Sequence, residues 1–437
     1  MKNISKCLAA ILLVVNLSSC VDLEPEPLSF FAPENTFMDK EGLEALLITS
    51  RKQIKWEWFG DAFNAGYCET PLVYEYAWSD VSVMGAPEVK EIHNLETQLT
   101  PTTSMALHLR YWDLAWNGIK YANTVISRVP KSTIDNETDK NELLAEGYFH
   151  RAYWYYLLVN QWGDVPLLLE EITEPKLDFY TVSRMKILQQ MKTDMEFAVK
   201  WLPKNVKPGC VNRAAGEHLL AKIYLSTGDF QLAVDATTRC INDYGLHLMK
   251  ERFGVNAEDA SLDVFNDLFQ EDNISSSENK EAIFVVQERY GIEGNVAPNG
   301  SARMRNFVPY WCNGAAVKTP DGKPGTTYDA GPYDGYEWVE KLGRGIAKIR
   351  PTNYSQYAIW GKCGNDLRHN ENNWFDISRL KYNRPASKGG SATYFGTLVQ
   401  RSFVTDTMRC YFSFPTVKTL IYKNDINKGK TPTAVSY

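Results

Sequence analysis

The stretch from Ala145 to Leu169, AEGYFHRAYWYYLLVNQWGDVPLLL, constrains the fold more tightly than any other part of the chain. Ala145, Phe149, Ala152, Tyr156 and Val159 recur at three- and four-residue spacing, which puts them on one face of a helix. Aromatic side chains crowd the same turns, so such a helix must bury most of its girth against other helices. Gly163 and Pro166 stop it near Trp162, and residues 165–169 leave as a strand or an extended connector.

The surrounding sequence supplies the partners. Leu109, Trp112, Trp116, Ile119, Ala122 and Ile126 predict a helix that ends before Pro130. Leu188, Met191, Met195, Ala198 and Leu202 predict another that ends at Pro203. A third pattern runs from Ala215 to about Leu225, turns at Gly228-Asp229, and resumes through Ala233 and Ala236 to Ile241. Small residues on both members of this pair allow close approach, as in a tetratricopeptide unit. No strict repeat period exists, so the expected fold is mainly α: a tetratricopeptide-like helical-repeat scaffold with irregular loop-rich insertions and a few short strands. From about 290 to 400 the helical period fades and Gly, Pro, Tyr, Trp and Asn become frequent. Loops of this kind lie on the surface and carry specificity.

The N-terminus carries an independent signal. Lys2 and Lys6 precede an apolar stretch from Leu8 to Leu17, too short to span a bilayer, and Ser18-Ser19 then precede Cys20. This order reads as a lipoprotein signal over 1–19, with Cys20 as the acylated anchor. An ordinary secretory signal with a chance cysteine is the competing reading. Two or three acyl chains give stable membrane anchoring where one does not. Residues 20–35 are acidic and proline-rich and read as a solvated tether. The rest divides into a helical region over 36–250 and a loop-rich region over 251–437.

Removing 1–19 leaves 45 basic and 53 acidic residues, a net charge of −8. That balance excludes nucleic acid and anionic lipid as natural partners. Cys68, Cys210, Cys240, Cys312, Cys363 and Cys410 show no ligand-like spacing, so they read as core thiols and not as a metal site.

The order Arg151-Ala152, aromatics, Gly163-Asp164-Val165-Pro166 resembles the hallmark segment of the SusD/RagB family of outer-membrane nutrient-binding lipoproteins. Further segments resemble that family in order. They are YWDLAWNGIKYANTVI with Trp112, Asn123 and Ile126, then Tyr180 to Pro203 with Asp194, then Val211 to Leu248. Asn279 to Phe284 resembles the strand that opens the family's C-terminal half. Arg409 to Tyr422 resembles a segment that precedes a final helix pair. That pair is missing before Tyr437, so residues 251–437 read as an incomplete C-terminal region. The resemblance implies a glycan ligand and a SusC-like TonB-dependent β-barrel transporter as partner. It also implies a lipid-anchored place on the outer membrane, facing the exterior. Val21 to Pro27 loosely resembles the acidic surface-export signal of Bacteroidetes lipoproteins.

No HExxH, GxSxG, P-loop or EF-hand pattern occurs, and the six histidines are scattered. No catalytic residue, metal ligand or cofactor is therefore assigned. The adjacent Glu170 and Glu171 are the nearest thing to a glycosidase acid pair, but neighbours on an extended chain point apart. His150 and His218 read as packed or surface side chains. Aromatic residues are abundant, with 12 Trp, 24 Tyr and 19 Phe, more than helix packing alone asks for. Rings with amide neighbours suit sugar stacking and hydroxyl hydrogen bonds. The candidates for ligand contact are Tyr74, Tyr76 and Trp78, which alternate along one extended run, and Trp311, Trp360 and Trp374 in the irregular half. Core packing competes for each. A protein- or peptide-binding helical scaffold is the main rival function, and a surface glycoside hydrolase the lesser one.

Overall fold

A computed structural model describes residues 37–59, 79–85, 100, 106–270, 272–287, 307–311, 314, 316–327, 347, 349–374, 379–405 and 418. The helical half is a run of packed helices: α1 (Lys40–Phe59), α2 (Ala106–Arg128), α3 (Glu137–Trp162), α4 (Arg184–Trp201), α5 (Arg213–Thr227) and α6 (Phe230–Asn242). From α2 onward each helix packs on the next, and α1 lies across α2 and α3. The mainly helical, repeat-like architecture expected from the periodicity is the one observed.

Helix ends follow local chemistry. Asn136 caps α3, its Oδ1 accepting from the Thr138 backbone N–H at 2.8 Å, and Gly163 ends the helix at φ 74°. Asn212 caps α5 through the Ala215 N–H at 2.7 Å. Gly228 then takes the left-handed conformation, φ 84°, that reverses the chain into α6. The interior is as aromatic as the sequence requires: Trp154 and Tyr155 are fully buried, and α3 buries residues on every side of its central turns. Gly118 makes this possible on α2, because a Cβ there would collide with the Trp154 indole. Leu43 and Leu47 of α1 pack with Val125, Val129, Ile134 and Leu143 in a second cluster.

A buried polar network ties the hallmark segment together. Arg151, 3% exposed, pairs with Asp194 of α4 at 2.8 Å and donates to Asn123 Oδ1 at 3.2 Å and to the Leu169 carbonyl at 2.7 Å. Asn123 Nδ2 donates to the Leu168 carbonyl at 2.9 Å. The Leu168 N–H donates to the Tyr155 hydroxyl at 2.6 Å. Arg128 of α2 grips Glu171 with two hydrogen bonds, at 2.9 and 2.7 Å. Three helices thus hold one piece of extended chain, residues 168–171, and the buried charge is matched on each side.

That chain leaves α3 through β2 (Val165–Pro166) and returns through β3 (Thr181–Val182), paired antiparallel with Val165 opposite Val182. Far apart in sequence, β1 (Ser82–Met84) pairs antiparallel with β4 (Ile349–Pro351), Val83 opposite Arg350. The expected strand at Asn279 to Phe284 is not one. Its backbone groups pair with connecting segments instead, the Lys280 carbonyl accepting from the His247 N–H at 3.1 Å and the Ile283 carbonyl from Asn212 Nδ2 at 3.0 Å. Among the described residues, no helix is long and apolar enough to cross a membrane.

Candidate functional site

Two of the aromatic candidates meet. Trp360 sits on a short 3-10 turn (Trp360–Lys362), His369 on another (Leu367–His369), and Trp374 at the end of the loop that follows. The His369 ring stacks on Trp360 at 4.6 Å between centroids and 18° between planes. Trp374 lies 5.6 Å from Trp360 and 5.0 Å from His369, inclined to both. All three rings are partly exposed, and the Arg368 guanidinium stands 5.9 Å from the Trp360 ring. The result is a small surface of flat apolar faces with a cation at its edge.

Amide side chains fix the loop that carries it. Asn370 Oδ1 accepts from the backbone N–H groups of Asn372 and Asn373 at 2.9 and 3.0 Å, which closes a tight turn. Asp263 Oδ2 accepts from Asn370 Nδ2 at 2.6 Å and from Asn373 Nδ2 at 2.8 Å. Asn373 is fully buried and also binds the Asn266 amide and the Leu367 carbonyl. Trp374 therefore stands on a rigid base despite the absence of regular structure.

The electrostatics suit an uncharged ligand. Hydrogen bonds from Arg368 hold the Asp366 carboxyl down to about 2, so the two charges largely cancel. Burial lowers His369 below its ordinary value, which keeps the ring neutral near pH 7. The Trp360 indole N–H is buried without an acceptor. Flat faces and a balanced ion pair can stack and hydrogen-bond a polyol.

Other candidates fare differently. The structure puts Trp311 in the core with no exposed surface, its carbonyl accepting from the Thr326 hydroxyl at 2.6 Å, so it presents no ring to a ligand. Tyr74, Tyr76, Trp78 and Cys20 lie outside the described residues. Glu171 is held by Arg128 while Glu170 faces solvent, so the acid pair is divided between two environments. His150 is buried and His218 exposed, matching their packed and surface readings. Cys210, Cys240 and Cys363 are free; Cys240 is a core thiol as expected, but Cys363 is exposed. Among the described residues, no group of three or more His, Cys, Asp or Glu could hold a metal ion. His369, Arg368 and Asp366 were not legible as site residues. Their only sequence signal is a position between two tryptophans fourteen residues apart.

Comparison with known proteins supplies the context. Residues 69–225 match the family model SusD-like_3, described as starch-binding and associating with the outer membrane. The SusD-like protein P2 of Formosa agariphila is 27% identical over 238 residues, 53% of this chain and 45% of that protein. The chain thus spans less than half of that relative's length. A SusD superfamily protein from Bacteroides vulgatus has a similar fold, with a TM-score of 0.57, 17% identity and coverage of 89% of this chain and 72% of that one. Surface glycan-binding protein A of Bacteroides thetaiotaomicron, solved with laminarihexaose, reaches 0.55 at 15% identity, covering 86% and 75% of the two chains. An ordered set of sequence motifs, a family model over residues 69–225 and a shared helical fold point the same way: over that segment this chain is similar to SusD-like proteins, and its fold resembles theirs.

Proposed function

We propose that this protein is a surface lipoprotein, anchored through Cys20, that binds oligosaccharides or polysaccharides without catalysis. It delivers them to a TonB-dependent transporter of the outer membrane. The observation that carries the glycan reading is the Trp360–His369–Trp374 surface, seated on a buried asparagine network. Capture by such a surface needs only stacking and hydrogen bonds, and a ligand that closes the site must bind the closed state more tightly. The lipoprotein signal over 1–19 ahead of Cys20 supports the anchor, and the likeness to SusD-like proteins supports the transporter.

Affinity gels and isothermal titration against soluble polysaccharides test the reading. W374A and W360A are each expected to weaken binding at least tenfold, as truncating a central aromatic contact does. Binding whose affinity and stoichiometry are both unchanged by these substitutions, or a chain that retains no polysaccharide at all, overturns it. One observation favours a protein partner instead: Phe230, Val234 and Ile241 lie along one exposed stripe of α6, at 66%, 55% and 60% exposure. A pull-down that proves sensitive to V234E but indifferent to W374A would favour that second reading.

A further inference from the structure

A cleft of about 670 Å³ opens between α2 and the loop that joins β2 to β3, well separated in sequence from the Trp360 surface. Its volume falls within the range of small-molecule sites. Trp112 and Trp116 of α2 form one wall, their rings 5.4 Å apart and edge-to-face. Phe179 stands at the outer lip, 45% exposed. Asn117, Lys120 and Glu170 line the rim, all exposed. The Trp116 indole N–H is buried without an acceptor.

The opposite wall does not need a ligand to form. Residues 168–171 are already held by Tyr155, Asn123, Arg151 and Arg128, so the hallmark network fixes the cleft before anything enters it. Preorganisation of this kind reduces the cost of binding. It also sorts the lining polar groups. Asn123 and Glu171 are spent on the network, whereas Asn117, Lys120 and Glu170 face the opening. A rim with one cation, one anion and one amide matches a neutral ligand that donates and accepts equally. Two indoles and a phenyl ring ask that ligand for flat apolar faces. Sugar rings meet both conditions.

We infer that this cleft is a second glycan site, built by the hallmark segment, which takes a neutral oligosaccharide of about two or three sugar rings. The inference rests on the glycan reading above and extends it. Two sites on one chain would raise the apparent affinity for a long polysaccharide through multivalency, while leaving short oligosaccharides bound singly.

The test uses the full chain and four neutral probes, maltohexaose, cellohexaose, xylohexaose and laminarihexaose, followed by isothermal titration. Wild type is expected to take two equivalents of at least one probe. The variant W360A/W374A should keep one equivalent. The rim variant N117A/E170A/F179A, whose residues are exposed and whose fold is checked by circular dichroism, should lose the other with at least a tenfold weakening. One equivalent in wild type that the rim variant leaves unchanged overturns the second site, and leaves the glycan reading standing. No binding of any probe by wild type overturns both. Should the rim variant misfold, K120E alone serves, since the inference requires it to weaken the equivalent that W360A/W374A retains.

Discussion

The helical half and the loop-rich half solve the same problem with different groups. In the helical half, backbone polar groups are satisfied within helices, so side chains are free to fill space and to pair charges between elements. Trp154 against Gly118, Arg151 with Asp194, Arg239 with Glu217 and Arg51 with Glu146 all join one helix to another. In the loop-rich half there is little regular structure to satisfy the backbone, and Asn and Asp side chains do that work. Asn383 accepts from the Thr327 N–H at 2.8 Å and donates to the Thr327 carbonyl at 2.7 Å, imitating a strand neighbour. Asn273 donates to the Phe253 and Asp267 carbonyls and accepts from the Val255 N–H. Order without ladders is thus an amide-to-backbone property here, and it obeys the same demand that buried polar groups be paired.

The largest expected effect breaks the helical side. Arg151→Leu leaves Asp194 buried without its cation and should cost about 3–5 kcal/mol in urea unfolding. The double variant Arg151→Leu/Asp194→Leu should recover part of that loss, because removing both charges removes the desolvation problem. If the two single losses simply add, the pair is not coupled and the account of the hallmark network fails.

Next comes the loop-rich side. Asn383→Ala strands two backbone groups and should cost about 1–3 kcal/mol. Hydrogen exchange should accelerate around Thr327 and spare α3 and α4. Spread of the effect into the helices would erase the contrast between halves.

A pH series sharpens the comparison further. Burial alone would raise the Glu146 carboxyl, but the neighbouring His150 and the Arg51 guanidinium outweigh it and hold the group below its ordinary value. A depressed carboxyl stabilises the fold above its unfolded value and loses that contribution as pH falls through the folded one. Thermal stability should therefore decline on acidification below pH 4.5, and Arg51→Leu should flatten the decline.

Smaller again, Gly228→Ala forces an L-residue to φ 84° and should cost about 1 kcal/mol. Least of all, Arg368→Ala removes a solvent-screened ion pair and should change stability by less than about 1 kcal/mol.

Much of the helical half was readable because its buried side chains are apolar and evenly spaced. The stops at Gly163, Pro203 and Gly228 stand within a residue or two of the observed ends. Helix α1 escaped notice for a physical reason. Its buried face includes Ser50, Gln53 and Glu57 alongside Leu43, Leu47 and Ile54, so the apolar stripe is interrupted by polar residues; Ser50 bonds the Leu46 carbonyl one turn back, and Glu57 accepts from the Tyr153 hydroxyl of α3. The loop-rich half depends on pairings between distant segments, such as Ser82 with Pro351 and Asp263 with Asn373. Nothing local announces those. Trp311 and Trp374 both stand beside asparagine in sequence, yet one is core and the other surface. The difference lies in which chain segment covers the ring.

The indoles of α2 and the end of α3 have an optical consequence. Trp112 lies 5.4 Å from both Trp116 and Trp162, each at a steep angle. Transition dipoles that near and that oblique exchange excitation, and the chirality of their arrangement imprints on circularly polarised absorption. A near-ultraviolet spectrum would carry a signature of this triad, extinguished when Trp112 is replaced by phenylalanine and reduced when either neighbour is, and could follow the helical body through unfolding with no added dye.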